Sequence, residues 1–377
     1  MAFTLDDDSA LLQPAVIGDV PTSNRLFMAP LTRSRAESDA TPSELAALYY
    51  AQRASAGLIV SEATAVSRAA NGAYPNTPGM FTDRHQRRWA GIADAVHAEG
   101  GRMFLQLWHV GRMGHPEIGG VETVAPSAIA AQMTAHTPTG RKPLPVPRAL
   151  RTDEIAAIVA DFRAAARRAV DAGMDGVEIH SANGYLLHEF LSDVTNRRDD
   201  IYGGSPQNRA RFTAEVVEAV ADEIGAGRVG LRISPGNSAG DMLPRTRGAI
   251  QHEVDEVSAY EALLNRIAAL PLAYLHMVIE PTQPAFAVVR SLWERTLVLN
   301  TPRTVETNFC ELENLVDWGV VGAVAVGRAY LANPDLIDRL RQGAALNEPD
   351  QATFYASGPV GYIDYPTLDE VDSLGVA

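Results

Sequence analysis

Asp175-Gly176-Val177-Glu178-Ile179-His180-Ser181-Ala182-Asn183-Gly184-Tyr185 is the stretch on which the reading of this chain turns. Its first half, Asp175 to Ile179, is a short apolar run of the kind that forms a buried parallel strand. Its second half gathers three polar side chains just past the end of that strand. His180 and Asn183 can each point an N–H at one oxygen, and Tyr185 adds a phenolic O–H, a weak acid able to hand over a proton. The set suits a reaction in which a bound carbonyl oxygen gains negative charge while a neighbouring carbon is protonated.

Working outward, similar apolar runs occur at 26–31, 58–62, 103–108, 229–233, 274–279, 297–300 and 323–327, which makes eight candidate strands with 176–180. Helical patterns separate them. Thr152 reads as an N-cap with Asp153 and Glu154 in the first turn, followed by Ile155, Ile158, Phe162, Ala165 and Ala169 at helical spacing, and Gly173 closes the helix. Phe212, Val216, Val217, Val220 and Ile224 repeat the pattern up to Gly225. Strands alternating with helices require a parallel sheet, and eight such units predict an α/β fold of the (β/α)8 TIM-barrel type, with a doubly wound sheet as the alternative. Residues before about 24 are expected to form a short hairpin plugging the N-terminal end of the barrel. Residues 110–147, rich in Pro, Gly and Thr, are expected to be an irregular lid insertion after the third strand. All of 1–377 is expected to be one domain, with 361–377 as a C-terminal tail.

Composition narrows the function classes. Hydrophobic residues make up 46% and charged residues 21%, values of an ordinary globular protein. A formal charge of −14 argues against non-specific binding to nucleic acid or to an anionic membrane surface. No apolar run approaches the roughly 20 residues of a membrane span. The acidic start, Met1 to Asp8, lacks the basic and apolar regions of a signal peptide, so a cytoplasmic location is the expectation. Cys310 is the only cysteine, which excludes intrachain disulfides and cysteine-ligated clusters.

In such a barrel the chemistry lies at the C-terminal ends of the strands. Those positions read Thr32, Glu62 with Ala63, Gln106 with Trp108 and His109, His180, Arg232, His276, Asn300, and Gly327 with Arg328. A buried Arg232 needs an anionic or strongly accepting partner. Gly327-Arg328 follows the last strand, where barrels commonly hold a phosphate. Each residue also has a plain structural reading. Arg232 could sit in a buried ion pair, Gln106 could be a satisfied core amide, and Thr32 could be a helix cap. His109 and His276 could be core histidines, Trp108 packing, and Tyr74 and Tyr355 loop aromatics. The functional argument rests on co-occurrence at one face. It offers a phosphate clamp and polar contacts for a planar ligand, and no metal-ligand cluster.

These motifs resemble those of the old yellow enzyme family of FMN-dependent ene-reductases, over nearly the whole chain. The resemblance is carried by Asn24-Arg25-Leu26-Phe27-Met28-Ala29-Pro30-Leu31-Thr32-Arg33, by Tyr49 to Thr64, by Leu105-Gln106-Leu107-Trp108-His109-Val110-Gly111-Arg112 and by Gly176 to Leu186. It continues through Tyr202-Gly203-Gly204-Ser205, Asn208-Arg209, Gly327 to Leu336 and Gly361-Tyr362-Ile363-Asp364-Tyr365-Pro366. It implies FMN as cofactor and NADH or NADPH as reductant. Pro30, Leu31 and Thr32 would line the flavin, with Thr32 on O4. Ala63 and Gln106 would meet its pyrimidine side, and Arg232 would sit by N1 and the C2 carbonyl. Gly327 and Arg328 would hold the phosphate, with Asn300 and Arg303 as further cofactor contacts. For Arg303, in a loop that departs from the family pattern, a solvent-facing position is the other reading.

His180 and Asn183 would grip the substrate's activating oxygen and Tyr185 would supply the proton. Tyr74, Trp108, His276 and Tyr355 would border the substrate pocket. Expected substrates are activated alkenes such as enones, enals, nitroalkenes and maleimides, and the chain would be a monomer or homodimer. Three alternatives compete with this reading. One is an oxidoreductase of the same type acting on nitro compounds or quinones, and another a flavin-binding protein without turnover. The third is a barrel hydrolase, for which Glu62 and Glu280 are the nearest acids.

Overall fold

Alternation along each strand decides what the barrel buries on each side. In the strand Gly176–Ser181 the residues Val177 and Ile179 pack outward into the large core shared with the helices, while Gly176, Glu178 and His180 turn inward. The same split holds for its neighbours. Leu105 and Leu107, Leu231 and Ile233, Leu275 and Met277, and Leu297 and Leu299 all join the outer core. Phe27, Ala29, Leu58, Phe104, Tyr274, Val298, Ala323 and Ala325 form a separate inner cluster at the barrel floor. Two glycines make room there. A Cβ on Gly176 would lie 2.5 Å from the Phe104 ring, and one on Gly230 would lie 2.3 Å from the Tyr274 ring.

The computed structural model of the chain describes residues 3–237, 239–242, 249–301 and 307–373, apart from the side chains of 249–256 and 371–372. Its barrel strands are β1 Leu26–Met28, β2 Ile59–Val60, β3 Met103–Trp108, β4 Gly176–Ser181, β5 Val229–Ile233, β6 Tyr274–Val278, β7 Leu297–Asn300 and β8 Ala323–Val326. Every neighbouring pair is parallel, and β8 pairs with β1, so the sheet closes. The helices α1 Leu45–Ala51, α2 Asp83–Ala98, α3 Thr152–Asp171, α4 Pro206–Ile224, α5 Ala249–Ile267, α6 Pro284–Leu292, α7 Phe309–Asp317 and α8 Leu336–Gln342 follow the strands in turn. This is the (β/α)8 barrel that the alternating pattern predicts. Among the described residues no helix is long and apolar enough to cross a membrane.

Three local expectations are refined. The N-terminal hairpin is Ala15–Ile17 paired with Val20–Thr22, and its Ile17 and Val20 complete the floor cluster. Thr152 is the first helical residue of α3 and not its cap. Its hydroxyl donates to Asp200 at 2.6 Å, while the Glu154 carboxylate accepts from the Arg151 N–H at 2.7 Å. The segment 110–147 is more regular than its composition suggests. It contains a hairpin, Thr134–Thr137 with Gly140–Pro143, and a small core of Ala131, Ala135 and Leu144 packed against Met113 and Ile118.

Candidate active site

Above the apolar floor the inward positions become polar. Strand register sets Gln106 beside Glu178 and aligns His180, Arg232 and His276 across β4, β5 and β6. Glu178 is the hub of this layer and is fully buried. One oxygen accepts from Gln106 Nε2 at 2.7 Å; the other accepts from the Tyr274 hydroxyl at 3.0 Å and from His276 Nδ1 at 2.7 Å. Arg232 donates through Nη1 to His276 Nε2 at 2.5 Å and through Nη2 to Asn300 Oδ1 at 2.8 Å. Burial opposes a charge on Glu178, but the His276 and Gln106 donors and the nearby Arg232 guanidinium hold its carboxyl below the usual range. His276 is pushed down to about 4, by burial first and by Arg232 second. It therefore acts as a neutral link, giving its Nδ1 proton to Glu178 and accepting from Arg232 at Nε2. This corrects its expected place in the substrate pocket. The inward face of β6 at that level lies inside the barrel layer, and His276 has no exposed surface.

A cavity of about 290 Å³ opens above this layer. Pro30, Leu31 and Thr32 after β1, Ala63 after β2, Gln106 and Trp108 on β3, His180, Asn183 and Tyr185 from β4 and Arg232 on β5 line it. Tyr74, Arg328, Leu331, Phe354 and Tyr355 complete the wall. A second cavity of about 750 Å³ shares Pro30, Leu31, Asn183 and Arg328 with the first and is also lined by Asn300, Thr301 and Gly327. Among the described residues three buried polar atoms of this lining have no hydrogen-bond partner, Arg232 Nε, His180 Nδ1 and Trp108 Nε1. Gln106 spends its amide nitrogen on Glu178, so its carbonyl oxygen is left for the cavity.

The order of residues after β4 explains how three side chains reach one space. Asn183 takes a left-handed φ of +57° and Gly184 one of +82°, so the chain turns sharply between the strand and the short helix Leu186–Leu191. That turn brings Tyr185 back against Trp108 and His180, with ring centroids 4.7 and 5.0 Å away, both edge-on. Burial pushes the Tyr185 hydroxyl well above its ordinary value, and the neighbouring Tyr74 and Tyr355 push it further. Burial, aided by Arg232, lowers His180 to about 3, so its ring is neutral in ordinary buffers. A tier of rings closes one side. Tyr355 stacks on Tyr74 at 5.5 Å, and Tyr74 lies parallel to Trp108 at 6.5 Å.

The Phe354–Tyr355 part of that wall comes from the far end of the chain and is held by the loop after β1. Arg33 donates to the carbonyls of Gly361 at 2.6 Å and Phe354 at 3.3 Å. Arg35 donates to Gly358 at 2.9 Å, Thr353 at 3.1 Å and Val360 at 2.9 Å. Both guanidinium groups also lie over the Tyr362 ring. Glu62 sits beside them, accepting from the Arg33 N–H at 3.2 Å. Burial raises its carboxyl to about 7 against the pull of these arginines.

Thirteen of the expected site residues thus face the first cavity, and Asn300 and Gly327 face the second. Arg303 lies outside the described residues. Sequence reasoning passed over Glu178, over Leu331 and Phe354 in the wall of the first cavity, and over Asn237 in the wall of the second. Glu178 was visible as an acid in the middle of an apolar strand, and Phe354 as the neighbour of Tyr355. Nothing local marked Leu331 or Asn237.

This architecture and donor set define a barrel oxidoreductase built around a flat, polar-edged cofactor, and the comparisons agree. Residues 10–347 match the model of the NADH:flavin oxidoreductase / NADH oxidase family. The chain is 41% identical to putative 12-oxophytodienoate reductase 5 of Oryza sativa subsp. japonica, covering 96% of this chain and 95% of that one. It is 40% identical to a probable flavin mononucleotide-dependent alkene reductase of Leishmania infantum, over 95% of this chain and 97% of the other. The structure of morphinone reductase in complex with tetrahydroNAD superposes with a TM-score of 0.86 at 44% identity, over 96% of this chain and 98% of that one. The chain belongs to this FMN-dependent flavoprotein family, that of old yellow enzyme. Its cofactor is FMN.

Proposed function

We propose that this protein is an NAD(P)H-dependent ene-reductase acting on alkenes conjugated to a carbonyl or nitro group, such as enones, enals, nitroalkenes and maleimides. The observation that carries the reading is the convergence of His180, Asn183 and Tyr185 on the cavity that Gln106 and Arg232 also line.

The residues fit FMN. The free carbonyl of Gln106 suits a ring N–H, and the unpartnered Nε of Arg232 suits the edge where a reduced flavin carries negative charge. Pro30, Leu31, Thr32 and Ala63 would line the ring, and Gly327 and Arg328, with Asn300 close by, would hold the phosphate end in the larger cavity. Bound there, FMN would supply the redox chemistry, hydride transfer between a nicotinamide and the β-carbon of the alkene. The chain orients and polarises. His180, a neutral ring, and Asn183 donate to the activating oxygen, which makes the β-carbon electrophilic and stabilises the charge that builds on the oxygen. Tyr185 protonates the α-carbon. Its raised pKa keeps the hydroxyl protonated until the transfer. Tyr74, Trp108 and Tyr355 confine the substrate within their tier of rings.

The test separates the two half-reactions by stopped flow. Tyr185→Phe is expected to slow alkene reduction by about 10²–10⁴ while leaving flavin reduction by NADPH or NADH close to that of the parent. Equal losses in both half-reactions would remove Tyr185 from the role of proton donor.

A further inference from the structure

Asn183 is held in one amide orientation by a chain of hydrogen bonds that begins at a backbone N–H. The Ala239 N–H donates to Asn237 Oδ1 at 2.8 Å. A peptide N–H can only donate, so it fixes which end of the Asn237 amide is oxygen. The other end, Nδ2, donates to Asn183 Oδ1 at 3.3 Å. The Asn183 oxygen is thereby turned towards Asn237, and its Nδ2 is left for the cavity that Asn183 lines. The backbone is tied at the same place. The Asn183 N–H donates to Ser234 Oγ at 2.8 Å, and the Asn237 N–H to the Ser234 carbonyl at 3.2 Å.

We propose that Asn237, on the loop after β5, is a positioning residue for the substrate's oxygen: it selects the rotation of the Asn183 amide that makes Asn183 a donor. The inference rests on the proposed role of Asn183. The amide of asparagine has two faces of opposite character, and turning it over replaces two N–H donors with a carbonyl oxygen. A flipped Asn183 would set lone pairs against an oxygen that is negative or becoming so. The Asn237 relay removes that alternative before any ligand arrives, which is preorganisation in the sense that matters for charge stabilisation.

Asn237→Asp tests this in the FMN-loaded protein, with 4-chlorophenol as the probe and its long-wavelength charge-transfer absorption as the readout. The substitution is isosteric but has two acceptors. One keeps the Ala239 N–H and the other accepts from Asn183 Nδ2, so the amide turns over. Phenol affinity is expected to fall about 10- to 100-fold, the worth of a hydrogen bond to a charged group. Asn237→Ala only frees the amide to occupy both rotations and is expected to cost about twofold. In an Asn183→Ala background the alanine change should have no effect, and the aspartate change only the residual effect of its added charge.

A merely structural Asn237 predicts the reverse order, with alanine at least as damaging as aspartate. Affinity of Asn237→Asp within twofold of the parent, where Asn183→Ala alone binds weakly, would overturn the relay and leave the site reading intact. So would equal losses with and without the Asn183 amide, and that comparison can be made with Asn237→Ala if the aspartate variant loses its flavin. A parent protein that binds no phenol would overturn the site reading and the relay together.

Discussion

Replacing Glu178 by Gln removes the carboxylate at the hub of the inner polar layer while keeping its shape. The carboxylate accepts three hydrogen bonds, at 2.7, 3.0 and 2.7 Å, and is the counter-charge to a guanidinium that is itself buried. An amide keeps one acceptor and introduces a donor. Either Gln106 or the His276–Tyr274 side must rearrange, and Arg232 is left uncompensated. Breaking a buried pair by neutralising one member costs about 3–5 kcal/mol. The retained acceptor places this change near the lower end, about 3 kcal/mol. Over 377 residues, at about 2.1 cal/mol/K per residue, that is a drop in Tm of about 4 °C. Urea unfolding of the FMN-loaded protein, followed by circular dichroism, measures the energy directly. The pairing also predicts non-additivity. Glu178→Gln combined with Arg232→Gln should lose less than the sum of the single changes, by about 1–3 kcal/mol. Parent-like stability in Glu178→Gln, or strict additivity with Arg232→Gln, would refute the claim that the two charges are held against each other.

Two further outcomes concern the turn after β3. Glu189 is buried, and burial lifts its carboxyl to about 8 although the Arg112 N–H donates to it at 2.8 Å. Between its unfolded value near 4.5 and about 8 the native state holds a proton that the unfolded chain has released, so this group withdraws stability as pH rises through that window. Glu189→Gln should therefore be more stable than the parent at pH 9 by a few kcal/mol, with the advantage shrinking towards pH 5, and parallel urea midpoints across that range would refute the assignment. Gly111 has a φ of +59°, and a Cβ there would lie 2.1 Å from the Glu189 carboxylate. Gly111→Ala should cost about 2–4 kcal/mol by combining left-handed strain with displacement of that carboxylate, and a loss below 1 kcal/mol by urea unfolding would contradict the geometry.

Short apolar runs and the helical patterns between them sufficed to read the barrel, because both signals are local. The turn carrying His180, Asn183 and Tyr185 was legible for the same reason: the three lie within six residues of one another. What escaped the sequence is what long separations create. Arg33 meets Gly361 across 328 positions, and His276 meets Glu178 across 98. His276 reads as a pocket residue in the sequence, but it is the middle residue of β6, and the direction of its side chain depends on register with β5. Asn237 sits in a loop whose sequence has no periodicity, and its partner lies 54 positions earlier.

The two levels of the barrel interior divide the physical work. The floor is apolar apart from the Tyr274 hydroxyl, which donates to Glu178 in the layer above, and it supplies burial with little else to satisfy. The level above contains one acid and one base held through a neutral imidazole, so it adds little net charge and yet is strongly directional. Burying Arg232 alone would be costly; burying it with Glu178 lowers that cost while leaving the Nε side of the guanidinium turned away from its partners. The same carboxylate orients the Gln106 amide. One residue on β4 therefore prepares both a cation and an acceptor beneath the cavity. Two positions further along the same strand, His180 contributes a neutral ring, and the turn beyond it brings Asn183 and Tyr185 to the lining of the same cavity, Tyr185 edge-on to His180. A single strand and its turn thus place the groups proposed to set the charge of the cofactor beside the groups proposed to act on the substrate, and a shift of one residue in its register would misplace both sets at once.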